Sequence, residues 1–234
     1  ARVPVAPIVP PLPRSTCEHP YYPLRAGYAV TFKNSFNSLV DGRPAVDHYT
    51  SRVTEVGAMH AKLDTVFASN GLRSTQDIAC DNGVLLARAY VDMSNSNRAF
   101  KVETTAASGE YLPRELAVGS VWQQSYNVLM KPTGAARAGD LGATPDMHGV
   151  VTINHQAVGE EQVTVPAGTY TAIKVKSSTT MKLDAVRGGL SAELPGIQVE
   201  SMEWWVRGVG LVKAQMQMGA GYAAMSEAET VTIP

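Results

Sequence analysis

The stretch "EEQVTVPAGTYTAIKVKSSTT", residues 160–180, decides how the rest of the chain reads. Two runs rich in β-branched residues flank Pro-Ala-Gly, and such side chains suit the pleated, half-buried surface of a strand. Pro166 sets φ where the chain enters a turn, and Gly168 supplies a positive φ where it leaves. After the turn, Tyr170 and Lys174 face one way while Ile173 and Val175 face the other. The stretch is a hairpin, not a reactive site. Further on, "MEWWVRGVGLVKAQ", residues 202–215, makes the same move with glycines at 208 and 210.

Working outward, the period of two continues. "YAVTFKNSF", "VDHYTSRVTEV", "AKLDTVFAS", "LRSTQDIAC" and "VLLARAYVDM" succeed one another between Tyr28 and Met93. Asp41-Gly42, Asn70-Gly71 and Asn82-Gly83 punctuate them, and such pairs tolerate the backbone of tight antiparallel hairpins. In the second half "SVWQQSYNVLM" puts Trp122, Gln124, Tyr126 and Val128 on one face. Residues 131–148 are rich in Gly, Ala and Pro without period and read as a long loop. "GVVTINHQAV", "EQVTV", "TYTAIKVKSSTTM", "IQVESMEWWV" and "GLVKAQMQM" follow as separate strands, and "AETVTIP" reads as an edge strand. No window carries a helical period, and "SAELPG" is a helical turn at most. The expected fold is all-β and mainly antiparallel, with very little helix: a curved sheet or half-barrel, or a sandwich.

Residues 1–20 form a proline-rich extended N-terminal arm ahead of a single β domain, 21–234. Residues 1–23 hold half of the fourteen prolines, which forbids helix. Val3, Val5, Ile8 and Val9 are too apolar for a solvated spacer. They mark the arm as a candidate partner-contact element, lying on its own domain or on a neighbour. Two related halves, 21–105 and 111–218, are suggested by "YYPLRAGYAVTFKNS" against "YLPRELAVGSVWQQS" and by "CDNGVLLARA" against "WVRGVGLVKA". On that alignment Gly83 and Gly210 serve the same turn.

Composition narrows the partners. The 234 residues are 44% hydrophobic and 18% charged, enough for a sizeable core, with a formal net charge of -1. No basic face for nucleic acid is visible, and no run approaches the roughly 20 apolar residues of a membrane-spanning helix. The chain starts at Ala1, which reads as an N-terminus left by removal of a secretory signal. Cys17 and Cys80 are the two cysteines; in an exported chain an even pair reads as a disulfide, the alternative being two buried thiols.

Reactive constellations are harder to find. His19, His48, His60, His148 and His155 are scattered, and the one loose cluster is His148 and His155 with Asp140 and Asp146. Neither metal-ligand spacing nor a nucleophile elbow emerges, so no metal, cofactor or catalytic residue is assigned. Glu160-Glu161 and Glu200 with Glu203 do not converge, because neighbouring strand positions alternate in face. The aromatic and methionine content of the second half is more telling. Trp122, Met181, Met202, Trp204, Trp205 and Met216 are the candidate lining of an apolar cavity, with ordinary core as the competing reading. Of the adjacent tryptophans, one should face inward and the other outward.

Taken together, "CEHPYYPLRAGYAVTF", "CDNGVLL", "EEQVTVPAGTYTAIKV" and "EWWVRGVGLVKA" resemble a group of uncharacterised bacterial exported proteins and lipoproteins. The likeness spans Cys17 to Met218, and Trp205 stands where a Tyr is usual. It implies an extracytoplasmic, antiparallel β protein, by analogy similar to the half-barrel of periplasmic lipoprotein carriers. Cys17 and Cys80 match the group's cysteine pair, which strengthens the disulfide reading. The leading expectation is a non-catalytic cell-surface or envelope protein that acts through protein contact or self-assembly by its arm. The alternative is a module that binds a lipid or acyl chain.

Overall fold

The computed structural model describes residues 17–38, 42–88, 100–132, 145–187, 190–219 and 222–234. The arm residues Val3, Val5, Ile8 and Val9, and Asp41 and Asp140, lie outside them. The first half supplies β1 (Glu18–His19), β2 (Tyr22–Pro23), β3 (Ala29–Asn37), β4 (Pro44–Val56), β5 (His60–Phe67), β6 (Arg73–Asp81) and β7 (Val84–Ala87). The second half adds β8 (Phe100–Gly109), β9 (Val121–Pro132), β10 (Asp146–Val165), β11 (Gly168–Arg187), β12 (Leu190–Glu193), β13 (Ile197–Val206), β14 (Gly210–Met218) and β15 (Tyr222–Thr232). No helix occurs among the described residues.

β1 and β2 pair with each other, and the remaining strands make one antiparallel sheet in the order β7-β6-β5-β4-β3-β15-β14-β13-β11-β10-β9-β8, with β12 beside the end of β11. The sheet curls into a half-barrel. Its two ends approach where the Leu85 amide donates to the carbonyl of Leu112, just ahead of β9 (3.0 Å). Alternation then decides burial: Val30, Phe32, Val53, Leu63, Ile78 and Leu85 point to the concave side from one half. Trp122, Val151, Ile173, Val175 and Trp205 do so from the other. The opening hairpin forms as expected, with Val165 opposite Gly168 and φ at Gly168 of +145°.

Some elements differ from the sequence reading, each for a reason of pairing. "AETVTIP" continues β15 and pairs with β3; the first part of that strand, Tyr222–Glu227, pairs with β14, so β15 as a whole is the seam between the halves and not an edge strand. "GVVTINHQAV" and "EQVTV" are one strand, β10, because a bulge at Val158 absorbs the break in alternation. Asp146, Met147 and His148, assigned to the long loop, start β10 opposite β11. The first three residues of "SAELPG", Ser191 to Glu193, lie in β12, which is held by four pairings to β11, Asp184–Arg187.

An N-terminal strap crosses the open end. Cys17 is disulfide-bonded to Cys80 on β6, with Cα atoms 4.9 Å apart. His19 donates Nε2–H to the carbonyl of Pro113 (2.8 Å) and accepts at Nδ1 from the amide of Tyr21 (3.1 Å). The Gly208 amide donates to the carbonyl of Pro20 (2.7 Å), and the Arg207 guanidinium lies over the Tyr21 ring at 5.1 Å. Strap, disulfide and the β13–β14 turn thus lock together at one rim.

Candidate functional site

The strap delivers Tyr22 to the concave face, where a cavity of about 290 Å³ opens, at the lower end of ordinary small-molecule pockets. Tyr28 enters it from the residue before β3, Phe32 from β3, Tyr49 from β4, Tyr111 from the connection into β9, Tyr126 from β9, and Glu203 with Trp205 from β13. Small polar groups, Ser51, Thr65, Ser74 and Gln76, complete the side built by β4 to β6. Among the described residues no Lys, Arg or His lines it.

Aromatic packing fixes this wall. Tyr22 meets Trp205 edge-on at 5.6 Å between centroids, and Tyr111 meets the same indole at 6.2 Å. Tyr22 also packs edge-on against Tyr28 at 6.1 Å, while Phe32 stacks on Tyr49 at 5.0 Å. The Tyr28 hydroxyl donates to the carbonyl of Val209 (2.8 Å). Gly210 makes this approach possible: a Cβ there would lie 2.3 Å from that hydroxyl, and its φ is +107°. The "EWWVRGVGLVK" stretch therefore builds cavity wall, turn and aromatic seat together.

Glu203 is the one acid in the lining. It is half-buried and makes no ion pair among the described residues; its Oε2 accepts from Trp205 Nε1–H (2.9 Å). Burial pushes its carboxyl above the usual range, partly opposed by the indole donor. Burial likewise lifts every neighbouring phenol: Tyr49 and Tyr126 to about 12, and Tyr22 and Tyr111 well above their ordinary value. Tyr22, Tyr49 and Tyr111 each lie close enough to Glu203 for its charge to add to that rise. The cavity is thus aromatic and rich in phenolic O–H donors.

Beneath it runs a buried polar chain. Tyr126 donates to Gln124 Oε1, Gln124 Nε2–H donates to His155 Nε2 (2.9 Å), and His155 Nδ1–H is shared with Ser177 Oγ (2.7 Å). The Trp122 ring stacks on the imidazole at 4.9 Å. Burial lowers the His155 pKa to about 4, so the ring is neutral and its tautomer is set by its two partners. Ser177 is 2% exposed and His155 6%, so this serine–histidine contact is closed to substrate.

The sequence-chosen residues divide among places. Trp205 lines the cavity, Trp122 roofs His155, and Met181 packs on the second core cluster around Val151. Trp204 faces the opposite side of the sheet, donating to Glu161 Oε1 (2.7 Å) between the ammonium groups of Lys174 and Lys213, 5.3 and 5.6 Å from its ring. Met202 and Met216 line a separate open groove with Lys176 and Glu200. They are not brought together with Trp205. His148 is exposed on β10 and His155 buried on it, and no group of three potential metal ligands converges among the described residues. The cavity residues that sequence reading missed are Tyr22, Tyr28, Tyr49, Tyr111, Tyr126 and Glu203. A carboxylate sharing the strand face of Trp205 was the available signal for Glu203.

The chain is a curved antiparallel half-barrel with an aromatic-lined cavity on its concave face. The DUF3108-like family pattern matches residues 73–217, more than half of the chain, and the chain belongs to that family. None of the curated proteins matches the sequence. Among solved structures, a candidate lipoprotein from Parabacteroides distasonis aligns with a TM-score of 0.60 at 16% identity, over 91% of this chain and 98% of that one. A candidate exported protein with a YmcC-like fold from Bacteroides fragilis aligns at 0.55 and 14% identity, over 91% and 99%. At such identities the likeness is one of fold.

Proposed function

We propose that the protein is an exported binding module that holds a small, largely apolar molecule in its concave cavity. The observation that carries this reading is the cavity itself, a seat of about 290 Å³ walled by Tyr22, Tyr28, Phe32, Tyr49, Tyr111 and Trp205. Large rigid aromatics offer contact area at little entropic cost, and the polar groups among them orient a ligand. Export is supported by the Cys17–Cys80 disulfide, which belongs to an oxidising compartment, and by the description of the fold relatives as lipoprotein and exported protein. Binding without turnover is supported by the burial of the Ser177–His155 contact.

Nile red, a neutral dye whose emission rises in apolar surroundings, tests the reading. Saturable enhancement is expected with the intact protein and its loss in Thr65→Phe and Ser74→Phe, which fill the cavity from β5 and β6. Circular dichroism verifies that the variants fold. Equal enhancement by the filled variants would place the dye elsewhere and remove the reading.

A further inference from the structure

Resting on the binding reading above, we infer the chemical class of the ligand: an uncharged molecule with an apolar body and a hydrogen-bond acceptor, such as an ester or amide carbonyl, received by the Glu203 carboxyl and the hydroxyls of Tyr22 and Tyr111. The inference starts from donors left over. Tyr28 spends its hydroxyl on Val209 and Tyr126 on Gln124. The hydroxyls of Tyr22 and Tyr111 make no hydrogen bond among the described residues. Both residues line the cavity, and neither hydroxyl is a buried, unpartnered atom, so both reach its open space. Glu203 accepts one hydrogen bond from Trp205 and lines the same space with its carboxyl, whose neutral form burial favours.

Charge complementarity selects among ligands. A carboxylate would enter a lining that has no Lys, Arg or His and would face Glu203. A cation would require Glu203 to ionise in a buried aromatic setting, against its raised pKa. A neutral acceptor needs neither and satisfies donors that otherwise lack partners. The competing charges around the site are also accounted for. The phenols facing it, Tyr22 from the strap, Tyr28 before β3, Tyr49 on β4, Tyr111 before β9 and Tyr126 on β9, stay protonated through neutral pH because burial raises each. His155, behind Gln124 on β10, stays neutral above its pKa of about 4. β3, β5 and β6 contribute only uncharged groups. Glu203 is then the lining group, among the described residues, whose titration burial moves upward in pH.

Three probes of one chain length separate the classes: methyl decanoate, decanoate and decyltrimethylammonium, titrated by calorimetry into the full chain at pH 7. The ester is expected to bind at least about tenfold more tightly than either ion, the worth of one good hydrogen bond plus an avoided buried charge. Its affinity is expected to fall as pH rises from 4 to 9, because burial makes the Glu203 carboxyl lose its proton above its ordinary pH. Glu203→Gln, which keeps a neutral donor, should bind the ester at every pH in that range and lose the pH dependence. An ion that binds as tightly as the ester, or an unchanged pH profile in Glu203→Gln, overturns the ligand class while leaving the cavity a binding site. Failure of all three probes, with Nile red also unbound, overturns both.

Discussion

Glu203 and Gly210 show how single residues set the properties of the site. Glu203 has a folded-state pKa above its unfolded value because burial penalises the charged form. The favourable contribution of its protonated state is fully present below the unfolded pKa and is lost as pH rises through the folded one. Glu203→Gln is therefore expected to match the parent in stability near pH 4 and to exceed it increasingly toward pH 9, as read by urea midpoints across pH. A constant difference would mean that the carboxyl is not the titrating group. Gly210→Ala places a methyl against the Tyr28 hydroxyl at a φ of +107° and should cost about 1–3 kcal/mol. Adding Tyr28→Phe should return the part due to the clash and leave the backbone part, a split that a double-mutant cycle reads directly.

At the scale of elements, the strap β1–β2 has too few pairings to hold itself and depends on what it is tied to. The Cys17–Cys80 bond spans 63 residues, and closing such a loop stabilises the fold by about 4 kcal/mol in the chain-entropy model. Reduction, or Cys17→Ser with Cys80→Ser, is expected to lower the melting temperature by that equivalent. It should also blunt ligand binding, because Tyr22 is carried by the strap. Unchanged calorimetric binding after reduction would show that Tyr22 stays seated without the bond. The bulges have a similar positional logic. At Thr54 in β4 and Val158 in β10 the ladder slips by one residue, each directly after a residue whose amide leaves the sheet. Val53 donates to the Tyr28 carbonyl and Ala157 to the Ser120 carbonyl, both at 2.9 Å, and each acceptor follows a glycine of positive φ, Gly27 or Gly119.

For the whole molecule, those matching bulges support the proposal that residues 21–105 and 111–218 arose by duplication. In the matching hairpins Gly208, at φ of +75°, and not Gly210 as expected from the sequence, takes the place of Gly83, at +85°; Gly210, two residues later, serves Tyr28. β15 lies between β3 and β14 and joins the two meanders into one sheet. Ending the chain at Gly219 should therefore abolish the cooperative fold, seen as loss of the thermal transition in circular dichroism. An edge strand would leave a melting transition in place.

The all-β class, the hairpin at Pro166–Gly168, the shared face of Ile173 and Val175 and the opposite facing of Trp204 and Trp205 follow from alternation, which is local and written in neighbouring residues. The cysteine pairing was legible from an even pair in an exported chain, and the resemblance strengthened it. Which strands become neighbours was not legible, since the seam role of β15 depends on two partners distant in the chain and on the bulges that correct their register. The cavity was the least legible part. Tyr22, Tyr111, Glu203 and Trp205 are ordinary strand and turn residues by themselves, and they form a donor-lined seat only after the curl of the sheet and the disulfide-tied strap bring them within ring contact. Side-chain period is encoded pairwise along the chain; convergence around an empty volume is a property of long-range pairing, and the tertiary structure alone decided it.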